Sequence, residues 1–172
     1  VSEGEAALLA PHRRDICAAF LDLRGFTAFT DRAEPEEVMS VLAEFHAAVG
    51  PVIDAHRGTV PHFAGDGVLV FFNDPLPSED PCGDAARMAL GMQERFVPLA
   101  AKWRKLGHEL GLGIGIARGY ATLGAVGYEG RVDYSAIGSV VNLAARLYGE
   151  ASGGQVLVDR RAAAALEDRF AL

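Results

Sequence analysis

A chain of 172 residues, half of them hydrophobic, is long enough to bury one core, so we expect one domain. The net charge of −7 argues against nucleic acid as a partner, because phosphate backbones bind Lys- and Arg-rich surfaces. Two cysteines are too few for a disulfide framework, and reduced thiols are typical of a cytosolic protein. No apolar stretch approaches the length of a membrane span, and the first residues lack a signal-peptide pattern.

The N-terminal segment, residues 1–14, is short and polar and ends in Pro-His-Arg-Arg. We interpret it as the remnant of a linker and expect the folded domain to span residues 15–172. A linker indicates a larger protein, so a regulatory domain is expected elsewhere in the full-length chain. That chain could be attached to a membrane, while the domain itself is expected to be cytoplasmic.

The spacing of apolar residues predicts strands and helices along the rest of the chain. Apolar runs rich in β-branched residues predict strands, and apolar residues three and four apart predict helices. Pro35 followed by two acidic residues marks a helix start, and a kink is expected at Gly50 and Pro51. In chain order we expect a strand at 16–23, a turn at 25–32, a helix at 35–53, strands at 59–63 and 68–72, a helix at 81–106, strands at 112–116, 119–127 and 131–137, a helix at 139–148, a strand at 155–158 and a helix at 161–168.

This order begins β-α-β-β-α-β and continues with further helices and strands. It predicts an α+β fold, a ferredoxin-like sandwich with additional C-terminal α/β elements. Both long helices would cover one face of a sheet rich in antiparallel pairs. The opposite face would then need a cover or a partner.

Two aspartates stand out in this pattern. Asp22 lies inside the first apolar strand, in FLDLRGFT at 20–27, and Asp66 lies in the Gly-Asp-Gly turn at 65–67. A carboxylate inside an apolar strand is costly unless it is paired or binds a metal. If the first strand lies beside the hairpin, both carboxylates would converge and could bind Mg²⁺ or Mn²⁺ on a triphosphate. Taken singly, a turn aspartate and a helix-capping aspartate would explain the same residues.

A second polar pair lies in the helix predicted at 139–148. Asn142 and Arg146 are four residues apart, so they project from the same helix face. An amide beside a guanidinium can bind a ribose oxygen and a phosphoryl oxygen. A solvated helix face would explain the same two residues.

Together these segments resemble the class III adenylyl/guanylyl cyclase family, in its bacterial branch. The resemblance rests on the Asp22 motif, the Asp66 turn and VNLAAR at 141–146, which follow one another in the family's order and spacing. It extends from about residue 13 to residue 170, nearly the whole chain. It implies the catalytic domain of a nucleotidyl cyclase.

The resemblance also implies a role for each of these residues. Asp22 and Asp66 would bind two divalent ions per site, Mg²⁺ or Mn²⁺, together with the carbonyl oxygen of Leu23. Asn142 and Arg146 would be the catalytic pair that stabilises the transition state. Family members are head-to-tail dimers, so a homodimer would hold two composite sites, each with metal ligands from one subunit and the catalytic pair from the other.

Substrate contacts are implied at two further places. The backbone of Gly25, Phe26 and Thr27, after the metal-binding strand, could cradle the phosphates. His62 and Ser135 stand where the family selects the base, and both side chains can donate and accept hydrogen bonds. We favour ATP as substrate, with cyclic AMP and pyrophosphate as products; the alternative is GTP, giving cyclic GMP.

Two other interpretations remain open from the sequence. One is a catalytically inactive cyclase-homology domain that dimerises or senses nucleotide, although Asp22, Asp66, Asn142 and Arg146 are all retained. The other is a diguanylate-cyclase-like enzyme, but its Gly-Gly-acidic signature is absent from the hairpin. The family also implies a C-terminal hairpin that residues 15–172 do not contain.

Overall fold

The computed structural model describes residues 10–61, 63–128 and 130–172, which form one sheet and its covering helices. The strands are β1 (His12–Arg24), β2 (Phe63–Ala64), β3 (Gly67–Phe72), β4 (Gly111–Tyr128), β5 (Arg131–Ile137) and β6 (Val156–Val158). The helices are α1 (Phe26–Arg32), α2 (Pro35–Ala55), α3 (Pro81–Lys105), α4 (Ser139–Glu150) and α5 (Arg160–Leu166). This is the α+β class that the sequence predicts, with α4, β6 and α5 as the C-terminal additions.

Strand β1 lies at the centre of the sheet. The strand order is β2-β3-β1-β4-β5, with every neighbouring pair antiparallel, and β6 runs parallel to β4. In this register Asp22 lies opposite Gly67 of β3 on one side and Gly113 of β4 on the other. The first strand and the Gly-Asp-Gly hairpin are therefore neighbours, as the convergence of the two aspartates requires.

The two faces of the sheet are covered by different helices. One face packs against α2 and α3, and its centre includes Leu21, Phe45 and Met88, all fully buried. On the other face, Val140 and Ala144 of α4 are buried in a second, smaller apolar cluster. The expectation that this second face needs a cover is thus met in part by the chain itself, because α4 folds back onto β1 and β4.

Four local features differ from the sequence expectations. Residues 26–32 form a helix rather than a turn, because Gly25 takes a left-handed conformation (φ 84°) that redirects the chain. The strands expected at 112–116 and 119–127 are one strand, since β1 pairs with β4 from residue 111 to residue 123 without a break. In the hairpin, Thr59 forms only an isolated bridge with Phe71, and the described part of β2 is Phe63–Ala64.

The fourth difference is the start of β1 at His12, inside the segment interpreted as a linker. His12 and Arg14 are held there by the buried Asp74 carboxylate. Their side-chain nitrogens lie 2.7 and 3.2 Å from it. An ion pair to a buried carboxylate explains why these polar residues continue the strand.

Helix α2 is long and apolar enough, by length and composition alone, to cross a membrane. The expectation that no stretch approaches that length is therefore wrong for this helix. Its apolar residues nevertheless face the sheet, with Val41, Phe45 and Ile53 buried in the main core. The helix continues through Pro51 to Ala55.

Candidate active site

Asp22 lies on the α4 side of the sheet because side chains alternate along a strand. Leu21 and Leu23 point into the main core, while Phe20, Asp22 and Arg24 share the opposite face. Glycine lies across from Asp22 on both neighbouring strands. With no side chains there, the sheet leaves an open bay around the carboxylate.

Asp66 reaches the same bay from the turn before β3. Gly65 has φ 61°, the left-handed region that lets the chain reverse between β2 and β3. Asp22 and Asp66 both line one cavity of about 330 Å³, together with Phe20, Pro61, Gly67, Leu69 and Tyr148. The structure thus brings together the two aspartates that the sequence predicts as metal ligands.

The Asp22 carboxylate is only partly compensated, because the Leu23 backbone and the Arg24 guanidinium lower its pKa by less than burial and Asp66 raise it. Burial, with a contribution from the neighbouring Asp66 carboxylate, raises the pKa of Asp22 to about 8. Its Oδ1 atom is buried and has no hydrogen-bond partner among the described residues. A buried acceptor beside a second carboxylate is the environment that a divalent cation stabilises. The donor set therefore fits Mg²⁺ or Mn²⁺.

The carboxylate pair by itself is an incomplete ligand shell. Within residues 10–61, 63–128 and 130–172, no three His, Cys, Asp or Glu side chains gather at one point. Mg²⁺ keeps several waters and is often shared between one or two carboxylates and substrate phosphates. Two aspartates open to a cavity are consistent with such a shared site.

Asn142 and Arg146 face away from this cavity. Both are exposed on α4, whereas Val140 and Ala144 of the same helix are buried. Arg146 lines a different cavity of about 190 Å³, which also includes Arg118, Tyr120 and Arg161. Within one chain, the carboxylate pair and the Asn/Arg pair therefore lie in separate places.

The chain matches the family model "Adenylate and Guanylate cyclase catalytic domain" over residues 9–172. It belongs to this family. Among curated proteins, the cyclase domain is 34% identical over 150 residues to adenylate cyclase 1 of Rhizobium meliloti and 31% identical over 145 residues to an adenylate cyclase of Anabaena cylindrica. These matches cover 87% and 81% of the chain but only 23% and 28% of the relatives. The chain thus spans about a quarter of their length.

Two solved structures share this fold closely. The adenylyl cyclase CyaB from P. aeruginosa has a TM-score of 0.89 at 30% identity, with 95% of this chain and 85% of that chain covered. The guanylyl cyclase Cya2 also has a TM-score of 0.89, at 34% identity, with 94% and 82% covered. The predicted family and fold are confirmed, and the cyclase domain is similar to enzymes of both nucleotide preferences.

The residues expected to cradle the phosphates lie at the end of β1 in the cyclase domain. Gly25 passes so close to the chain at Glu109 that a Cβ there would lie 2.6 Å from the Glu109 carbonyl oxygen. Phe26 is partly buried and packs against the main core, and Thr27 is exposed. The close packing of the backbone against Glu109 is by itself enough to require glycine at position 25.

The base-selecting positions are described only in part. His62 lies outside the described residues. Ser135 is half-buried on β5, opposite Gly124 of β4, and it does not line the cavity of Asp22 and Asp66. Ser135 is separated from the carboxylates of its own chain, as Asn142 and Arg146 are.

Tyr148 lines the carboxylate cavity but was not predicted to contribute to the site. The sequence interpretation placed it only at the end of a helix. Its ring stacks on Phe20, with ring centroids 4.7 Å apart and an angle of 13° between the planes. Burial and the Asp22 carboxylate raise the pKa of the Tyr148 hydroxyl.

Proposed function

We propose that this domain converts ATP to 3′,5′-cyclic AMP and pyrophosphate at two composite sites of a homodimer. The observation that carries the proposal is the convergence of Asp22 and Asp66 on one cavity, where Asp22 Oδ1 has no partner within the described part of the chain. Such a pair has a clear chemical use in binding the metal ions of a nucleoside triphosphate. Membership of the cyclase family makes cyclisation the reaction to expect.

Asp22, Asp66 and the carbonyl oxygen of Leu23 would hold two divalent ions. When bound, these ions would acidify the ribose 3′-hydroxyl and offset the charge of the triphosphate. The two carboxylates bind and orient, and no protein nucleophile is needed, because phosphoryl chemistry depends mainly on positioning and electrostatics. The backbone of Gly25, Phe26 and Thr27 would contact the phosphates.

Asn142 and Arg146 would complete the site from the partner subunit. Arg146 would stabilise the charge that develops at the α-phosphate, and Asn142 would orient the ribose. Their exposure on α4, away from the carboxylates of their own chain, supports a site shared between two subunits. Arg146 is free for this role, since it forms no ion pair with any residue that the structure describes.

ATP is the proposed substrate because the curated relatives named above are adenylate cyclases. Ser135 and His62 would contact the base, and neither side chain excludes guanine by its hydrogen-bonding type. GTP is therefore the second candidate, favoured by the 34% identity to the guanylyl cyclase Cya2. Because the chain spans about a quarter of its relatives, we further propose that a regulatory domain lies elsewhere in the full-length protein, with this domain in the cytoplasm.

The test is product analysis by mass spectrometry after incubation with Mn²⁺ and, separately, ATP, GTP, CTP or UTP. Cyclic AMP as the main product, absent from the Asp22→Asn and Asp66→Asn variants, is the expected result. Cyclic GMP as the main product would keep the mechanism and overturn the proposed substrate. No cyclic product from any nucleotide, with folded and dimeric protein, would instead favour an inactive domain that dimerises or senses nucleotide.

A further inference from the structure

Three consecutive side chains on one face of β1 surround the end of α4. Phe20 stacks on the Tyr148 ring. Arg24 Nη1 donates to the Tyr148 carbonyl oxygen at 3.2 Å, and its Nη2 donates to the Gly149 carbonyl oxygen at 3.3 Å. Asp22 lies between Phe20 and Arg24 on the same face. Strand β1, which carries Asp22, therefore also holds Tyr148 through the residues on either side of Asp22, Phe20 and Arg24.

The close approach of α4 to the sheet fixes Tyr148 in this place. A Cβ at Gly115 would lie 2.4 Å from the Tyr148 backbone nitrogen and 2.5 Å from the Ala144 carbonyl oxygen. Only glycine allows the helix backbone to sit so near β4. Tyr148 is thus constrained by its ring, its carbonyl and its own backbone, and its freedom to leave the cavity is small.

A hydroxyl in this position has a specific electrostatic effect. Two neighbouring carboxylates that line one cavity repel each other, and Asp22 Oδ1 is buried with no hydrogen-bond partner in the described part of the chain. A phenol can donate one hydrogen bond to a carboxylate oxygen while the other oxygen remains free for a cation. Groups that hydrogen-bond a metal ligand in this way fix its orientation and strengthen metal binding.

We propose that Tyr148 is a positioning residue of the metal site, whose hydroxyl holds the Asp22 carboxylate in the orientation that binds a divalent cation. The inference rests on the proposed metal-binding role of Asp22 and Asp66. It assigns Tyr148 no contact with the substrate. The aromatic ring serves to place the hydroxyl, and the hydroxyl acts through Asp22.

The test measures the affinity of the domain for Mn²⁺ alone, with the free ion quantified by electron paramagnetic resonance. Tyr148→Phe removes one oxygen and keeps the ring on Phe20, so folding should be unchanged while Mn²⁺ affinity falls about 10-fold. Tyr148→Leu should weaken Mn²⁺ binding at least as much and also lower Tm. The matched control is Tyr128→Phe, which removes the same oxygen from a tyrosine that is 70% exposed on β4.

The outcomes separate this inference from the proposed function. If Asp22→Asn binds Mn²⁺ as the unmodified domain does, the metal-binding role itself fails. If Asp22→Asn loses Mn²⁺ but Tyr148→Phe keeps the original affinity, only the role of Tyr148 is overturned, and its ring is merely structural. In active protein, Tyr148→Phe should raise the half-saturating Mn²⁺ concentration for cyclisation. At saturating Mn²⁺, its kcat should be close to that of the unmodified domain.

Discussion

Replacing Asp22 by Asn should remove a pH-dependent destabilisation of the metal-free domain. Burial and the neighbouring Asp66 raise the pKa of Asp22 from 3.8 to about 8, so the folded state keeps a proton that the unfolded chain releases. The contribution of protonated Asp22 to the free energy of unfolding is therefore complete below about pH 4 and is lost as the pH rises toward 8. A divalent cation should reverse that loss, because it stabilises the ionised carboxylate.

The expected change in the free energy of unfolding depends on how exposed the Asp22 carboxylate is. At full strength, the difference between a pKa of 3.8 and one of about 8 would correspond to about 6 kcal/mol. Asp22 is only half-buried, so water screens the pair and we expect about 2 kcal/mol. In a domain of this size that is a change in Tm of about 4–8 °C.

The assay is thermal unfolding in EDTA-treated buffer from pH 5 to pH 8. The Tm of the unmodified domain should fall relative to that of Asp22→Asn as the pH rises, and Mn²⁺ at pH 7.5 should raise only the former. Asp54→Asn, on the exposed side of α2, is the matched control. If Asp22→Asn keeps the full pH dependence of Tm, or if Mn²⁺ stabilises it as much as the unmodified domain, the ionisation of Asp22 is not the cause.

Three further predictions concern α4 and the shared site. Arg146→Ala should lose roughly 10²- to 10³-fold in turnover, by analogy with the removal of one transition-state donor, and steady-state kinetics would measure it. Mixing the inactive Asp22→Asn and Arg146→Ala proteins should restore measurable activity, because mixed dimers regain one complete composite site. Gly115→Ala should destabilise the domain by about 2 kcal/mol in urea unfolding, because its Cβ overlaps the backbone of α4 at Ala144 and Tyr148.

Each of these has an outcome that contradicts it. Arg95→Ala removes an exposed arginine of α3 and should keep normal turnover; near-normal turnover of Arg146→Ala as well would refute its assignment. If the mixture stays inactive although the subunits exchange, the composite site is wrong. If Gly115→Ala has the same urea midpoint of unfolding as the unmodified domain, α4 does not pack as closely on β4 as the structure shows.

Much of the fold could be predicted because long elements have strong periodicity. The helix expected at 81–106 is observed at Pro81–Lys105. Short or uniform segments gave weaker signals. A seven-residue helix such as α1 contains too few turns to establish a period, and Gly119 inside β4 looks like a strand break. It is accommodated because the ladder with β1 continues past it.

The carboxylate site was predictable for a local reason. An aspartate in an apolar strand and an aspartate in an adjacent tight turn meet whenever the two strands pair, and Asp22 opposes Gly67. The contact of Tyr148 with this site depends instead on how closely a distant helix packs. The glycines at 111, 113 and 115 of β4 were the available signal, since alternate glycines on one strand face indicate close approach of another element.

Helix α4 connects the proposed site residues in a way that neither motif indicates by itself. Asn142 and Arg146 are exposed, where a partner's carboxylates would lie, while Tyr148 lines the cavity of Asp22 and Asp66 in its own chain. One helix would thus serve two different composite sites of the dimer. Because Arg24 donates to the carbonyls of Tyr148 and Gly149 and Phe20 stacks on Tyr148, the strand that carries Asp22 also holds the helix that carries Arg146. A change that shifts α4 on β1 should therefore impair metal binding in one site and turnover in the other.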